Sequence, residues 1–326
     1  MLNLENMETV VITGGTGMIG SSLAKLLADN GYEVALLSRS AAKSKAHNGL
    51  DRGARQGPAT FHWDPAAKSI DEEIIRRADY IINLAGAGVA DKRWTSSRKR
   101  EIVESRVQSG ELIVKSLNEI PNSVKAVISI SGIGWYGEDS RIANPIPFTE
   151  EMPADQGFLG QTCVKWEASV TPVNKLGKRL VIFRTGIVLS NSGGALVEFK
   201  RPLSFGIATI LGTGKQVVSW IHIDDICRLF LTAIRDPSLN GVYNAVSPQP
   251  VTNRQLVLEL AKCRQRFYIP ITVPAFALKV ALGEVSIEVL KSATVSCDKL
   301  LEKGFRFSFP TIRSALEHLI HKPAKS

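Results

Sequence analysis

Three glycines at regular spacing are the residues of this chain whose chemistry is the easiest to assign. Gly14, Gly17 and Gly20 lie in residues 13–20 (TGGTGMIG), between a short apolar run and a segment with apolar residues every three or four positions. Such a turn between a strand and a helix directs backbone N–H groups and the helix N-terminus toward a phosphate. The spacing predicts a dinucleotide-binding turn, and the rival interpretation is a purely structural turn.

The residues after the second apolar run favour one dinucleotide over the other. Residues 33–38 are followed by Arg39 and Ser40, where NAD sites usually carry an acid that binds the ribose 2′-hydroxyl. An arginine there can instead pair with a 2′-phosphate. The sequence therefore favours NADP as the cofactor, with NAD less favoured, and the alternative for Arg39 is a solvated loop arginine.

Two further loops are predicted to line the cofactor site. Residues 83–86 (NLAG) follow another strand-like run, and their small side chains allow the nicotinamide ribose to approach the backbone, although a plain strand-to-helix turn explains them too. Asp64 precedes a proline and is a candidate for binding the adenine amino group or for starting a turn. The predicted contacts in these segments are Gly14, Thr16, Gly17, Met18, Ile19, Gly20, Ser38, Arg39, Ser40, Asp64, Leu84, Ala85 and Gly86.

A parallel sheet would bring these loops together at one edge, and the alternation of strand-like and helical segments predicts such a sheet. Strand-like runs at 10–13, 33–38, 80–84, 124–131 and 180–184 alternate with helical stretches at 18–29, 71–78, 95–118 and 157–176. This alternation predicts an α/β fold, a doubly wound Rossmann-type parallel sheet with a smaller C-terminal substrate lobe. We expect 1–186 and about 217–246 to form the NADP-binding domain, and about 187–216 and 247–326 to form the smaller lobe. The glycine-rich stretch 191–217 is predicted to cover a ligand.

The composition of the chain argues against several other classes of protein. The chain has 326 residues, four widely spaced cysteines and a net charge of +9. The cysteines are too far apart for a C-x-x-C pair, so no metal site is expected. The densest basic group, at 92–106, is predicted to be the solvated face of a helix, which argues against nucleic-acid binding, although Arg93 is also a candidate for an anionic substrate. No apolar run reaches the roughly 18–20 residues of a membrane span, and the first eight residues do not resemble a secretory signal, so the cytoplasm is the expected location.

Taken together, these motifs resemble a known family. The glycine turn, residues 83–86, residues 129–137 (SISGIGWYG) and Lys165 are similar to short-chain dehydrogenases/reductases of the extended, nucleotide-sugar-epimerase-like type. More narrowly, residues 93–94 (RW), 165–167 (KWE), 184–186 (RTG), 220–225 (WIHIDD) and 304–310 resemble the atypical branch called epimerase family proteins, which has its own C-terminal region. The resemblance implies a Rossmann fold, a nicotinamide cofactor and a small polar or nucleotide-linked substrate between two lobes.

The resemblance also implies catalytic residues. In the wider family a Tyr-x-x-x-Lys pair shares one helix face, the lysine holds the nicotinamide ribose, and the tyrosine passes a proton. Here Lys165 is present, but Gln161 stands four positions earlier and cannot act as an acid or base. Ser131 is then expected to position the substrate, and Tyr136 is a substitute acid or an aromatic anchor of its loop. Arg184 is a candidate contact for nicotinamide or substrate, with an ion pair at the edge of the core as its rival.

Several hypotheses stay open from the sequence. The first is an NADP-dependent oxidoreductase or epimerase-like enzyme, and the second is an NADP-binding sensor or regulatory protein without turnover, which Gln161 favours. A third is an NAD-dependent nucleotide-sugar epimerase. His222 is weighed as a base, but the alternation at 217–223 favours a strand with Asp224 or Asp225 as the N-cap of the next helix. A homodimer through helices 95–118 and 157–176 is expected by family analogy.

Overall fold

The fold is built around one large sheet, as seen in a computed structural model that describes residues 7–40, 58–140 and 146–321. The strands of that sheet are β1 (Thr9–Thr13), β2 (Glu33–Ser38), β3 (Ala59–Asp64), β4 (Ser69–Ile70), β5 (Tyr80–Asn83), β6 (Ala126–Gly132), β7 (Arg179–Thr185) and β12 (Gly241–Ala245). Their order is β12-β7-β6-β5-β1-β2-β3-β4, and every pair is parallel except β3 with β4. The strand order reverses on either side of β1, which is where open α/β sheets bind their ligands.

Helices cover both faces of this sheet, as the sequence predicts. Those associated with it are α1 (Met18–Asp29), α2 (Glu72–Arg77), α3 (Ser96–Glu119), α4 (Phe158–Val170) and α6 (Ile223–Arg235). The predicted bounds of α1 agree with the structure. The long helix predicted at 157–176 ends at Val170 instead and continues as a 3₁₀ segment, Thr171–Leu176, because Pro172 cannot donate a helical hydrogen bond.

Alternate residues of the central strands pack on opposite sides of the sheet. Val10 and Ile12 of β1 are buried in one hydrophobic cluster with Phe230 of α6, whereas Val11 is buried in a second cluster with Ile113 of α3. A parallel strand covered on both faces is buried along its whole length, as β1 is, and the three central residues of β1 are apolar. This packing confirms the doubly wound α/β class.

The remaining elements lie after β7. They are β8 (Ile187–Leu189), α5 (Ala195–Leu203), β9 (Ile207–Leu211), β10 (Val217–Val218), β11 (Trp220–His222), β13 (Val251–Thr252), α7 (Asn253–Cys263), β14 (Ile269–Val273), α8 (Ala275–Leu282), α9 (Val285–Leu290), α10 (Asp298–Glu302) and α11 (Ile312–His321). They include two-stranded pairings of β9 with β14, β10 with β13 and β11 with β8. The stretch 191–217 thus contains α5 and β9, whose short lengths conceal their periodicity in the sequence. Within the described ranges, no helix is long and apolar enough to cross a bilayer.

Candidate functional site

The glycine turn has the geometry that its sequence predicts. Gly14 follows β1 with φ of 67°, a left-handed conformation that favours glycine, and an added Cβ would lie 2.9 Å from the Leu84 carbonyl carbon. At Gly20 an added Cβ would overlap the Gly14 carbonyl oxygen, so glycine lets α1 pack closely on the turn. Both positions therefore require glycine for physical reasons.

The start of α1 suits a bound phosphate. Gly17 is the N-cap, and among the described residues no side chain caps the helix there. The first N–H groups of an α-helix have no partner within the helix, and the helix dipole favours an anion at this end. Thr16 and Gly17 are exposed, Met18 and Ile19 are half-buried, and the first turn carries no acid. The residues present fit a dinucleotide pyrophosphate at this end of α1.

The loop after β5 is held against the glycine turn by side-chain hydrogen bonds. The hydroxyl of Thr13 accepts from the backbone N–H groups of Leu84 and Ala85, each at 3.1 Å, and donates to Asn83 Oδ1 at 2.9 Å. Ser109 of α3 donates to the same Asn83 oxygen at 2.7 Å. The sequence pattern offered no sign of this role for Thr13. It fixes the predicted cofactor wall next to the predicted phosphate site.

The adenosine side of the predicted site holds Arg39 and Asp64. Arg39 is exposed at the end of β2, next to a 2.9 Å hydrogen bond between the Ser38 and Ser40 hydroxyls. Asp64 Oδ1 accepts from the backbone N–H groups of Ala66 and Ala67 at 3.1 and 3.2 Å. Asp64 therefore acts as a turn starter, and its contact with adenine stays a prediction.

Ser131, Tyr136 and Arg184 meet in one buried network centred on Glu167. Arg184 forms a bidentate ion pair with Glu167, with both N–O distances at 2.9 Å, and Ser131 donates to the same carboxylate at 2.7 Å. The Tyr136 hydroxyl accepts from Arg184 at 3.1 Å and donates to Asn244 Oδ1 at 2.6 Å. Sequence reasoning missed the role of Glu167, although an acid near a buried arginine is its expected partner.

This network favours structural roles for its three members over the chemical roles that were predicted. Tyr136 is fully buried and stacks on Phe148 at 5.1 Å between ring centroids. Burial raises the pKa of Tyr136 to about 12, so its phenol holds its proton tightly. For Tyr136 the geometry supports the loop anchor, and for Arg184 it supports the ion pair at the edge of the core. Ser131 is also buried, and its hydroxyl is engaged by Glu167.

Helix α4 presents different residues to the end of β6 than the resemblance implies. Cys163 Sγ lies 3.5 Å from the carbonyl oxygen of Gly132, and Leu159 packs against Gly134. Lys165 is exposed, as expected for a side chain about 200° further around the helix than Cys163. Gln161 is half-buried and donates to the Asp155 carbonyl oxygen at 3.1 Å. The residues at the helical step facing β6 are Leu159 and Cys163, so the contact of Lys165 with the nicotinamide ribose stays a prediction.

A histidine pair lies outside this network. His222 is the N-cap of α6, where Asp224 and Asp225 were expected: its Nδ1 accepts from the Asp224 N–H at 2.9 Å. His222 Nε2 lies 3.1 Å from His318 Nδ1, and His222, Asp224 and His318 have ligand atoms within 4.8 Å of one another. With Nδ1 accepting, Nε2 is the ring nitrogen of His222 that can donate to His318.

The basic group at 92–106 differs most from its prediction. Arg98 and Arg106 are buried, not solvated. Arg93 donates to the carbonyl oxygen of Ala281 at 3.0 Å and so links α8 to the loop before α3. Arg98 is paired with Glu101 at 2.7 Å, whereas Arg106 lies against the Gly86 loop and the Trp166 ring. The four-residue steps that bring Arg98, Ile102 and Arg106 to one face of α3 were the signal for their burial.

The sheet, the glycine turn and the loop after β5 define a Rossmann-type fold of the extended epimerase class. Residues 10–158 match the NAD dependent epimerase/dehydratase family, and residues 273–319 match a domain of unknown function, DUF1731. An epimerase family protein of Mycobacterium leprae is 32% identical over 331 residues, covering 100% of both chains. The chain belongs to the epimerase family proteins of this NAD-dependent epimerase/dehydratase group, which confirms the resemblance seen in the sequence.

Solved structures agree with this assignment. The human epimerase family protein SDR39U1, solved with NADPH, is 28% identical with a TM-score of 0.81, over 95% of this chain and 98% of that chain. The UDP-glucuronic acid 4-epimerase of Bacillus cereus, solved with UDP-glucuronic acid and NAD, shares the fold. Its TM-score is 0.74 at 19% identity, over 95% of this chain and 96% of that chain. Similar folds therefore hold either NADPH or NAD.

Proposed function

We propose that this protein binds NADP(H) across the carboxyl ends of β1, β2 and β5 and responds to its occupancy without the proton transfer of a Tyr-x-x-x-Lys enzyme. The observation that carries the proposal is the face of α4 toward β6, where Leu159 and Cys163 stand four residues apart. Leucine cannot transfer a proton. Burial raises the pKa of the Cys163 thiol to about 11, so it stays protonated near neutral pH.

The choice of NADP rests on the end of β2. Arg39 is an exposed cation at the position where the adenosine ribose of a dinucleotide is expected, and the adjacent Ser38 and Ser40 are neutral. A 2′-phosphate gains a charge-assisted hydrogen bond from such an arginine. The NADPH bound to human SDR39U1 supports the same choice.

Tyr136 supports the part of the proposal that excludes a tyrosine as the catalytic acid. It is the candidate acid nearest the end of β6, yet both hydrogen-bonding directions of its hydroxyl are engaged, by Arg184 and Asn244. A proton donor must come within hydrogen-bond reach of the substrate, and a fully buried phenol does not. The oxidoreductase hypothesis thus loses its named acid, and the binding hypothesis becomes the better supported one.

Calorimetric titration of the purified protein with NADPH, NADP⁺, NADH and NAD⁺ tests the binding step. We expect the phosphorylated pair to bind more tightly. Gly17→Asp tests the predicted pyrophosphate position. Aspartate is a favoured N-cap, so it should not destabilise α1, but it places a carboxylate where the pyrophosphate is expected. It should retain the melting temperature of the free protein and lose NADPH binding. Preference for NAD(H), or unchanged NADPH binding by Gly17→Asp, would contradict the proposed site.

A second experiment tests turnover. The protein is incubated with NADPH and a panel of carbonyl compounds, or with nucleotide sugars, and NADPH absorbance and sugar epimers are followed. We expect no oxidation above the rate without protein and no epimer. Oxidation that survives Tyr136→Phe would restore the oxidoreductase hypothesis with a different acid, and oxidation that this change abolishes would restore Tyr136 as that acid.

A further inference from the structure

Arg106 carries a buried charge that differs from the other buried arginines of the described chain. Its side chain is on α3 and only 7% of the residue is exposed. Nη1 donates to the carbonyl oxygens of Ala87 and Ile102, both at 2.9 Å, and the guanidinium lies 4.7 Å from the centroid of the Trp166 ring. Burial lowers the pKa of Arg106 to about 10, so it remains a cation at neutral pH.

The other two buried arginines have carboxylate partners. Arg98 pairs with Glu101 and Asp91, and Arg184 pairs with Glu167. Within the described ranges no carboxylate lies within 4.0 Å of the Arg106 guanidinium. The side-chain hydrogen bonds of Arg106 to described residues come from Nη1, and none comes from Nε or Nη2. A buried cation without a counter-charge is unfavourable, so a ligand that supplies oxygen atoms would stabilise it.

The position of Arg106 indicates which ligand this is. Arg106 lies beneath the loop that follows β5, where a Cβ added at Gly86 would be 3.1 Å from its guanidinium carbon. The glycine turn is at the end of β1, and Arg39 is at the end of β2, on the opposite side of β1 from β5. A dinucleotide whose 2′-phosphate meets Arg39 and whose pyrophosphate meets α1 must extend its other half over β5 and β6.

We propose that Arg106 binds the nicotinamide-side ribose–phosphate half of NADP(H) and provides there the cation that the exposed Lys165 does not. This inference rests on the proposed NADP(H) site. It assigns each half of the cofactor its own arginine: Arg39 binds the adenosine half, and Arg106 binds the nicotinamide half. Cys163 faces the same end of β6 and, as a neutral thiol, supplies no counter-charge to this cation.

Two probes separate the halves of the cofactor. NADPH contains both, whereas adenosine 2′,5′-bisphosphate contains only the adenosine half with its 2′-phosphate. In fluorescence and calorimetric titrations, Arg106→Gln should weaken NADPH binding by about tenfold or more and leave adenosine 2′,5′-bisphosphate within about twofold of wild type. Arg106→Lys should recover part of the NADPH affinity. Arg39→Gln should weaken both probes, and Lys165→Gln should weaken neither.

The melting temperature of the cofactor-free protein shows whether Arg106→Gln loses NADPH affinity only because the variant is less stable. Because Arg106→Gln removes an uncompensated buried charge, it should keep a melting temperature close to that of wild type. Three results would each overturn the inference. Arg106→Gln could lose affinity equally for both probes, or it could keep its NADPH affinity unchanged. The third such result is weaker NADPH binding in Lys165→Gln. If the wild-type protein binds adenosine 2′,5′-bisphosphate and NADPH equally well, Arg106 has no role in binding although the proposed function stands. If it binds neither, the proposed function fails as well.

Discussion

Arg39 is exposed at the end of β2, and the binding partner predicted for its charge is the 2′-phosphate of NADP. Arg39→Gln should reduce the affinity for NADPH by about tenfold and leave the affinity for NADH nearly unchanged, since a charge-assisted hydrogen bond contributes roughly 1.5–3 kcal/mol. Paired titrations with NADPH and NADH measure the change. Arg76→Gln, at another exposed arginine, is the control, and equal losses for both cofactors would remove Arg39 from the 2′-phosphate site.

Tyr136 should make the stability of the protein sensitive to alkali. Its pKa is about 12 in the folded protein against 10.0 for an unperturbed tyrosine. Below pH 10 both the folded and the unfolded chain hold this proton, so the contribution of Tyr136 is fully present. As the pH rises from 10 toward 12 only the unfolded chain loses the proton. The free energy of unfolding should then fall, by up to about 2–3 kcal/mol from this residue.

Tyr136→Phe isolates that contribution. Urea unfolding of both proteins between pH 9 and 11.5 gives the slope of stability against pH, and the phenylalanine variant should have the shallower slope. The slope matters more than the absolute stability, because the variant also leaves Arg184 and Asn244 with one partner fewer. Equal slopes in the two proteins would show that the Tyr136 phenol ionises as easily in the folded chain as in the unfolded one.

At the scale of elements, Thr13 couples β1 to the loop after β5. Thr13→Val keeps the shape of the side chain but removes the hydroxyl that accepts from the Leu84 and Ala85 N–H groups. The Leu84 N–H keeps its 3.3 Å hydrogen bond to the Thr13 carbonyl oxygen, whereas the Ala85 N–H loses its acceptor. We therefore expect a loss of about 1–3 kcal/mol in stability together with weaker NADPH binding. Thr13→Ser retains the hydroxyl and is the matched control. Urea unfolding and NADPH titration of the two variants measure both effects. If valine and serine behave alike, the hydroxyl does not hold the loop.

The elements that the sequence predicts well are those with a local signal. Helix α1 has its bounds set by the glycine turn and by apolar residues at a helical period, and both features are visible in the residues themselves. The 191–217 segment carried no such signal, because α5 and β9 are short and depend on contacts with distant partners. One of these is β14, which is about 60 residues away in the chain.

In the candidate site, too, the sequence does not show which residues the fold brings into contact. A four-residue step from Gln161 to Lys165 has the spacing of the family's catalytic pair, but spacing alone does not tell which face of α4 meets β6. The step from Leu159 through Cys163 to Glu167 has the same period, and its contacts with β6 and with the turn that follows β6 select it. Arg106 was grouped with a charge cluster predicted to be solvated, although its four-residue step from Ile102 placed it on the apolar face of α3.

At the scale of the whole molecule, a buried carboxylate of α6 helps to connect the end of the C-terminal region to the large sheet domain. Asp225 of α6 is fully buried, and its two oxygens accept from the backbone N–H groups of Ser308 and Phe309 at 2.8 and 2.9 Å. Phe309 in turn stacks on His222 with ring centroids 3.9 Å apart. These contacts hold the segment before α11 against the N-terminal half of α6, so Asp225 contributes to the docking of α11 beside the buried apolar residues of that helix.

Asp225→Asn should therefore release the C-terminal region before the sheet domain unfolds. The amide cannot accept both backbone hydrogen bonds with the strength of a carboxylate, so we expect a loss of about 2–3 kcal/mol. Hydrogen exchange should become faster across residues 308–321, while exchange in β1 and β5 stays close to wild type. Asp236→Asn, at the opposite end of α6, should leave exchange in that segment unchanged. Because the glycine turn and Arg39 lie in the sheet domain, NADPH affinity should survive Asp225→Asn. Its loss would mean that the C-terminal region contributes directly to the cofactor site.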